Sequence, residues 1–292
     1  MARMPILHAL NAMDKRIAVL PQYLLPKLAL TRLIGWLAGR RGRFATHAAI
    51  RWFIRRYGVN MVEAADSRVE SYSSFNDFFT RALRADARPL ADADWLCPVD
   101  GAISQFGVLE RDQIFQAKGH SYDSRALVGG DAVLAAQFDD GLFATLYLSP
   151  KDYHRIHMPC RGNLRRMIHV PGDLFSVNPT TALGVPNLFA RNERVVCVFD
   201  SDHGPFVLAL VGATIVGSMA TVWHGVVNPP RPGQLREWDY SGRNIVLDRG
   251  AEMGRFLLGS TVVMLLPKNT FQFNSAWAPG GAIRMGEAMS SL

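Results

Sequence analysis

Short apolar segments, separated by glycine and proline, follow one another from Trp95 to the C-terminus. Segments of this length that are rich in valine, leucine and phenylalanine are typical of β-strands. Strands are predicted over 102–106, 142–148, 195–199, 206–211, 214–222 and 256–266. Helical periodicity is scarce after residue 90. The body of the chain is therefore predicted to be a mainly antiparallel β barrel or sandwich with a few helices.

The first sixty residues follow a different pattern, in which leucine-rich turns alternate with lysine, arginine and proline. These interruptions come before any apolar stretch reaches the about 18 residues that a membrane-spanning helix needs. We therefore predict short amphipathic helices that lie in a membrane interface, with Trp36 and Trp52 as anchors. One of these basic helices is predicted over 46–57 and ends at Gly58.

A further helix is predicted over 75–83, because Ser74 is a good N-cap and phenylalanines recur on one face of the segment. We place the boundary between the basic region and the body at residue 65. The predicted fold class is thus α+β. It comprises a membrane-associating helical region at 1–65, made of basic amphipathic helices, and a catalytic domain at 66–292.

Positive charge is concentrated in the first region. Residues 1–60 contain eleven Lys or Arg and one acidic residue, Asp14, while the whole chain has a net charge of +7. The first sixty residues therefore carry +10 and the remainder −3. Such a distribution indicates an anionic partner for one end of the molecule. A membrane surface is predicted rather than nucleic acid, because the basic residues are interleaved with leucines and no nucleic-acid-binding module is recognisable.

The cysteines and histidines do not indicate a metal site. Cys97, Cys160 and Cys197 form no C-x-x-C pair, so neither a disulfide framework nor a thiolate zinc site is predicted, and a reducing, cytoplasmic setting fits. His154 and His157 are three residues apart, but no third ligand has a recognisable spacing. Neither G-x-G-x-x-G nor a Walker A motif occurs in the sequence, so no nucleotide cofactor is expected.

The dipeptide Gly259-Ser260 interrupts the last long apolar run. Glycine lets another group approach its carbonyl closely. The Ser260 hydroxyl can attack the Gly259 carbonyl carbon and convert the amide into an ester, if a base takes the proton and a donor stabilises the oxyanion. Elimination of that ester leaves dehydroalanine, which hydrolyses to a pyruvoyl group. A second dipeptide, Gly217-Ser218, lacks the following threonine and the C-terminal position.

A base for this serine can be proposed from the residues at strand ends, where functional groups tend to concentrate. Asp100 precedes a glycine at the start of a predicted strand, and His157 follows another predicted strand after a Ser-Pro pair. A histidine held by a carboxylate is a common base for a serine nucleophile. Asp100, His157 and Ser260 are therefore candidates for a self-cleavage triad. His154 is a candidate acid–base group for a later step.

Three segments together resemble the bacterial phosphatidylserine decarboxylase proenzymes. They are Leu258-Gly259-Ser260-Thr261, Pro98-Val99-Asp100-Gly101 and Tyr153-His154-Arg155-Ile156-His157-Met158-Pro159. Segments 75–79, 172–178 and 187–194 also resemble parts of the family, so the resemblance covers nearly the whole chain. One short motif is weak evidence, but their joint occurrence in this order is specific. The resemblance implies a mainly β catalytic domain and matches Asp100, His157 and Ser260 to the family's triad.

The resemblance also implies a proenzyme that cuts itself between Gly259 and Ser260, giving a β chain of residues 1–259 and an α chain of residues 260–292. Ser260 would become the pyruvoyl cofactor, so neither PLP nor a metal is expected. This group is an electron sink for amine decarboxylation, and the implied reaction converts phosphatidylserine to phosphatidylethanolamine with the help of His154. A homodimer of cleaved protomers, peripheral on the cytoplasmic face of the cell membrane, is the implied assembly.

The residues by themselves leave two other functions open. A serine hydrolase acting on lipids could use the same three groups without cutting itself, although G-x-S-x-G is absent and Ser260 lies within an apolar run. A non-enzymatic membrane-peripheral binding protein could use the β domain as a scaffold. A denaturing gel separates these functions, because only the decarboxylase predicts a cut chain.

Overall fold

Helices make up the N-terminal part of the structure. The computed structural model describes residues 19–117, 119–215, 218–258 and 261–291, and the predicted cleavage site Gly259-Ser260 lies outside these described residues. The described part of helix α1 is 19–24, and the following helices are α2 Lys27–Gly39, α3 Arg43–Tyr57 and α4 Phe75–Phe79, with a 3-10 turn at Val69–Ser71. Gly58 ends α3 with a φ of 67°, which confirms the predicted end of this helix. Among the described residues, no helix has the length and apolar character needed to cross a membrane.

Helix α4 is shorter than predicted. Its N-cap is confirmed, since the Ser74 hydroxyl accepts a hydrogen bond of 3.1 Å from the backbone N–H of Asp77. The helix ends at Phe79 rather than at residue 83. Residues 82–84 instead form an extended bridge with residues 63–65, and these backbone hydrogen bonds compete with the helix.

The body contains two larger antiparallel sheets and a hairpin. The strands are β1 Gly101–Val108, β2 Gln113–Ala117, β3 His120–Asp123, β4 Leu142–Tyr147, β5 Arg155–His157, β6 Gly162–Val170, β7 Arg194–Ser201, β8 Gly204–Val211, β9 Met219–Thr221, β10 Gly225–Val226, β11 Arg236–Asp239, β12 Val246–Leu247, β13 Glu252–Phe256, β14 Thr261–Leu266 and β15 Ala282–Ile283. Short helices α5 Ser124–Leu127, α6 Ala132–Ala136, α7 Pro179–Gly184 and α8 Leu188–Arg191 lie between them.

The main sheet has the strand order β11-β6-β7-β8-β14-β4-β1-β15, with β12 paired to β6 as a ninth strand. The second sheet has the order β10-β9-β13-β5, and β2 and β3 form the hairpin. Every pairing in these sheets is antiparallel. The sheets are open rather than closed into a barrel, so the sandwich form of the α+β prediction is confirmed.

Strand β14 lies at the centre of the main sheet and is buried on both faces. Val263 and Leu265 pack into the cluster that contains Phe78 of α4. The alternate residues Val262 and Met264 pack into the cluster shared with the second sheet. This split follows the two-residue period of a strand, and it explains why the segment is apolar throughout rather than alternating.

The prediction of a single strand over 256–266 is wrong. The apolar run is divided between β13 of the second sheet and β14 of the main sheet, and residues 257 and 258 form a bend. The strand predicted over 214–222 is also too long, because β9 covers only Met219–Thr221. Ile215 lies in a turn with a φ of 62°, and its N–H donates to the Thr31 hydroxyl of α2 at 3.1 Å. Both errors arise where the chain passes between layers.

Candidate active site

The segments before and after the predicted cleavage site belong to different sheets. On one side, the N–H of Phe256 donates to the carbonyl of His154 at 3.0 Å, and that of Leu257 donates to the carbonyl of Ser218 at 3.0 Å. On the other side, Thr261 is paired with Tyr147 of β4 and with a residue of β8. The backbone is therefore anchored immediately before and after Gly259-Ser260, and His154 belongs to one of the anchors.

His157, the predicted base, is a partly exposed ring with two hydrogen-bond partners. Its Nδ1 lies 2.7 Å from the carbonyl oxygen of Gly250, and its Nε2 lies 3.0 Å from the hydroxyl of Tyr153. A carbonyl only accepts, so Nδ1 carries the proton and Nε2 presents a lone pair. Burial lowers the pKa of His157 and keeps the ring neutral, although the Gly250 carbonyl acts in the opposite direction. A neutral imidazole with a lone pair on Nε2 is the form that a general base requires.

Asp100, the predicted orienting carboxylate, is held by an arginine. Arg88 Nε donates to Asp100 Oδ1 at 2.9 Å and its Nη2 donates to Oδ2, while the N–H of Met285 donates to Oδ1 at 2.9 Å. Arg88 also donates to Glu63 at 2.7 Å. Opposite charge and paired hydrogen bonds stabilise the ionised carboxylate in this buried position.

The structure brings Asp100 and His157 into the same region without a hydrogen bond between their side chains. The N–H of His157 donates to the carbonyl of Pro98 at 2.8 Å, so the segment that contains Asp100 runs beside β5. The tautomer of His157 is set by Gly250, whereas the carboxylate of Asp100 binds Arg88. Since Ser260 lies outside the described residues, its part in the triad stays a prediction.

His154 is completely buried and packs against α4. Its ring centroid lies 4.1 Å from that of Phe79, and its Nδ1 donates to the carbonyl of Asp152 at 2.8 Å. Its Nε2 has no hydrogen-bond partner among the described residues. Burial lowers the pKa of His154 to about 3, so this ring is neutral at physiological pH. An unpaired polar atom in a buried position is the kind of group that a bound reactant can satisfy.

Sequence reasoning missed three side chains at this site. Tyr147 is the β4 residue opposite Thr261, Tyr153 donates to His157 Nε2, and Arg88 holds Asp100. Burial raises the pKa of Tyr153 to about 12, so its hydroxyl remains a donor. Tyr153 directly precedes His154 in a segment that the sequence singles out, and this adjacency could have identified it. Tyr147 and Arg88 have no comparable local signal.

A cavity of about 470 Å³ opens beside these groups, lined by Asp100, Tyr147, Asp152 and Tyr153 among others. The Asp152 carboxylate accepts hydrogen bonds from both the N–H and the hydroxyl of Ser149, each at 2.7 Å. Burial nevertheless raises the pKa of Asp152, since desolvation exceeds the effect of these hydrogen bonds. Through its two hydrogen bonds with Ser149, Asp152 closes a local turn that lines this cavity.

The cysteine thiols in the described part of the chain are poorly suited to this chemistry. The thiols of Cys97, Cys160 and Cys197 are free and buried, and burial raises the pKa of each. Such thiols are poor nucleophiles. Within the described ranges, no group of three or more His, Cys, Asp or Glu side chains is placed to hold a metal ion.

Comparisons with known proteins match this chain along nearly its whole length. The model of the phosphatidylserine decarboxylase family matches residues 75–291, and a second model, described as PSD, matches residues 17–58. A phosphatidylserine decarboxylase proenzyme of Albidiferax ferrireducens is 73% identical over 278 residues, which cover 95% of this chain and 98% of the relative. The proenzyme of the same name from Dechloromonas aromatica is 70% identical, over 96% of this chain and 99% of the relative. The resemblance seen in the sequence is thereby confirmed, and the chain belongs to the phosphatidylserine decarboxylase family.

Proposed function

We propose that this chain decarboxylates phosphatidylserine to phosphatidylethanolamine at a membrane surface, after it has cut itself between Gly259 and Ser260. Family membership supports the reaction. The observation that carries the self-cleavage is the anchoring of the chain on both sides of this dipeptide, with the buried, neutral His154 in one of the two anchors. The backbone N–H of Phe256 donates a hydrogen bond to the carbonyl of His154, and Thr261 lies in the central strand of the main sheet.

In the proposed cleavage, His157 Nε2 takes the proton from the Ser260 hydroxyl, and the oxygen attacks the Gly259 carbonyl carbon. The C–N bond breaks and an ester forms, with the amine nitrogen taking up a proton. Elimination then removes the proton on the Ser260 Cα and breaks the bond between the Ser260 Cβ and the ester oxygen, which releases the Gly259 carboxylate and leaves dehydroalanine. Addition of water releases ammonia and leaves a pyruvoyl group. Asp100 would favour the protonated form of His157 through its negative charge.

A pyruvoyl group at position 260 would provide a carbonyl that condenses with the substrate amine and an electron sink for loss of CO2. The neighbouring residues fit such a group, because two buried polar atoms nearby lack partners among the described residues: His154 Nε2 and Thr261 Oγ1. In this proposal His154 moves a proton at Nε2, and its burial keeps competing water away. Tyr147, opposite Thr261, limits the space at the same end of β14.

The new fragment would remain in the fold after the cut. Strand β14 is hydrogen-bonded to β4 on one side and to β8 on the other, and all six of its residues are buried. Residues 261–266 therefore stay in the centre of the main sheet when the peptide bond before Ser260 is lost. The cleaved enzyme is thus proposed to be a tight complex of residues 1–259 and 260–292.

The reaction is tested with purified protein and phosphatidylserine in detergent. We expect phosphatidylethanolamine and CO2 to form without added PLP or metal. Sodium cyanoborohydride with substrate should add the mass of the substrate amine to the 260–292 fragment and abolish activity. Complete loss of activity on dialysis against EDTA, with recovery on adding a divalent metal, would contradict the proposal.

Membrane association is proposed from the exposed side chains of the N-terminal helices. Of the twenty-one large apolar side chains that are exposed in the described part of the chain, twelve precede residue 63. In α2 the buried residues are Thr31 and Ala38, while Leu33, Trp36 and Leu37 are each more than half exposed. Arg40 stacks on Trp36 at 3.9 Å. Apolar side chains next to exposed arginines suit the interface of an anionic bilayer.

Salt and charge reversal should separate the two contributions to membrane binding, which are the attraction of basic residues to anionic lipid and the insertion of apolar side chains. Cosedimentation with anionic liposomes should weaken as salt rises but persist, because ions screen the charges and leave apolar insertion intact. Reversing Arg40, Arg41 and Arg43 to Glu should weaken liposome binding by about a hundredfold or more, at about 1 kcal/mol for each basic residue near the surface. Leu33→Asp and Trp36→Asp should also weaken it.

The control for this experiment reverses three exposed cations of the body, Arg111, Arg243 and Lys268, which changes the net charge equally. This control should bind almost as the unchanged protein does. Self-cleavage should be normal in both triple variants, since neither alters the cleavage site. Equal liposome binding by the two triple variants, together with no effect of Leu33→Asp or Trp36→Asp, would assign these helices to protein contacts.

The remaining proposals concern organisation. Residues 1–65 are proposed to be the membrane-associating region and 66–292 the catalytic domain. A peripheral position on the cytoplasmic face of the cell membrane agrees with the basic helices and with three free cysteines. A homodimer of cleaved protomers is the proposed assembly, which sedimentation in detergent tests directly.

A further inference from the structure

A cavity of about 340 Å³ lies directly before the predicted cleavage site. Leu257 and Leu258 line it on one side, and helix α2 lines it with residues that include Arg32 and Gly35. The proposed cleavage chemistry uses no group in this cavity. The cavity lies between the segment that precedes the predicted cleavage site and helix α2, whose apolar side chains are exposed.

Two polar side-chain atoms in the lining of this cavity are buried without a hydrogen-bond partner among the described residues. They are Nη2 of Arg231 and Oδ1 of Asn76. The Arg231 guanidinium is held in place, because its Nε donates to the Glu193 carboxylate at 2.8 Å. Glu193 also contacts Nε2 of His169 at 2.9 Å. The charge of Arg231 is thus paired with Glu193, but its buried Nη2 group lacks an acceptor, which is unfavourable, so a ligand that supplies an acceptor oxygen is expected here.

Positive charge in the cavity exceeds negative charge. Burial alone would raise the pKa of Glu193, but hydrogen bonds from His169 and Arg231 outweigh it and lower that pKa. Glu193 is therefore ionised and balances Arg231. Arg32 is exposed, lines the same cavity and forms no ion pair among the described residues. The cavity therefore has two guanidinium groups, of which only that of Arg231 is neutralised by a carboxylate. Such a pair suits an anion with several acceptor oxygens.

We propose that this cavity binds the phosphodiester group of the lipid substrate, through Arg32 and Arg231. The inference rests on the proposed function and adds a recognition site to it. In a phosphoserine headgroup, one oxygen and two carbon atoms separate the phosphorus from the amine. A phosphate beside Leu258 thus places the amine close to position 260, two residues further along the chain. The acyl chains leave past α2, where Leu33 and Trp36 are exposed.

Gly35 offers a way to fill the cavity without removing charge. It lines the cavity, and an added Cβ would meet no atom within 4 Å. Leucine favours the helical conformation over glycine, so Gly35→Leu should leave α2 folded while its side chain occupies the space of the ligand. Arg231→Lys keeps a positive charge next to Glu193 but loses the planar fork. Both variants avoid leaving Glu193 without a cation.

The first test measures turnover of dihexanoyl phosphatidylserine in solution, where no bilayer contributes. Arg32→Met, Arg231→Lys and Gly35→Leu should each raise KM about tenfold to a hundredfold, with a smaller change in kcat. Turnover of O-hexylserine, an ether without phosphate, should be the same in the variants as in the unchanged enzyme. The control Arg68→Met removes an exposed arginine that does not line the cavity, and it should change neither KM.

The second test measures binding without catalysis, in the uncut Ser260→Ala protein. Dihexanoyl phosphatidylglycerol should raise its melting temperature, and adding Arg32→Met should abolish that shift. Inorganic phosphate at the same concentration should have a smaller effect. Stabilisation by inorganic phosphate alone would assign the cavity to a free anion and overturn the proposal.

Equal losses on both serine substrates would also overturn it, because the arginines would then act on structure or chemistry. An effect of Arg81→Met on the phosphate-containing substrate, with none from Arg32→Met, would move the phosphate to the cavity beside Asp100. Failure of the proposed function has a different readout: the unchanged chain would neither cut itself nor decarboxylate phosphatidylserine. The binding test remains decisive for the cavity in that case.

Discussion

Replacing Ser260 by alanine should leave one uncut chain without decarboxylase activity. The unchanged protein should appear on a denaturing gel as fragments of residues 1–259 and 260–292. Intact mass should show that the smaller fragment begins with a pyruvoyl group and lacks a free amine. The effect is expected to be complete, because the serine supplies both the attacking oxygen and the atoms of the cofactor.

The second Gly-Ser dipeptide provides a matched control. Ser218 lies beside the same segment, since its carbonyl accepts a hydrogen bond from Leu257, but this contact uses only the backbone. Ser218→Ala should therefore cut normally between 259 and 260. An active Ser260→Ala protein, or fragments that end at residue 217, would refute the proposed site.

His157→Ala should slow self-cleavage by about 10²-fold to 10⁴-fold, the usual contribution of a general base. The neutral ring is the active form, and burial places the pKa of His157 below its ordinary value of 6.5. As the pH is lowered, the rate of cleavage should stay constant through about 6.5 and fall only at lower pH. Cleavage can be followed by gel after the proenzyme is refolded or translated at each pH.

Two further variants identify which group sets this behaviour. His203→Ala removes an exposed imidazole that is distant in sequence from His157, and this variant should cleave itself at the normal rate. Asp100→Asn should slow cleavage less than His157→Ala does, because the Gly250 carbonyl, rather than Asp100, fixes the tautomer of His157. A normal rate in His157→Ala would assign the base to another residue, with His154 the next candidate. A rate that already falls above pH 6.5 would contradict the effect of burial.

Local patterns in the sequence predicted much of the fold. The end of α3 at Gly58 and the N-cap of α4 at Ser74 both depend on residues within one turn of the helix boundary. Strands β1, β4, β7 and β8 of the main sheet were predicted within two residues at each end, because short apolar runs mark them, whereas β6, β11, β12 and β15 were not predicted. The family could be recognised from the order of several short segments, since these residues are adjacent along the chain.

The candidate site was predicted only in part, because only residues that are neighbours along the chain form a recognisable pattern. His154, His157 and Asp100 occur in short segments that invite a chemical interpretation. Arg88 is an isolated arginine twelve positions before the carboxylate that it holds. Gly250 contributes a carbonyl oxygen from a residue ninety-three positions after His157, and any residue type could supply such an oxygen. Nothing in the local sequence marks either partner.

By itself, the sequence determined the α+β class, the basic amphipathic N-terminus and the family, and it supplied the candidates for the reactive groups. Tertiary structure alone decided that the apolar run 256–266 passes from one sheet to the other, that Tyr147 lies opposite Thr261, and that Arg88 rather than His157 binds Asp100. Helix caps and strand patterns depend on neighbours along the chain, which a sequence displays. Strand pairing, ion pairs and cavities depend on which distant segments are brought together when apolar surface is buried, and an unbroken apolar run is compatible with more than one such arrangement.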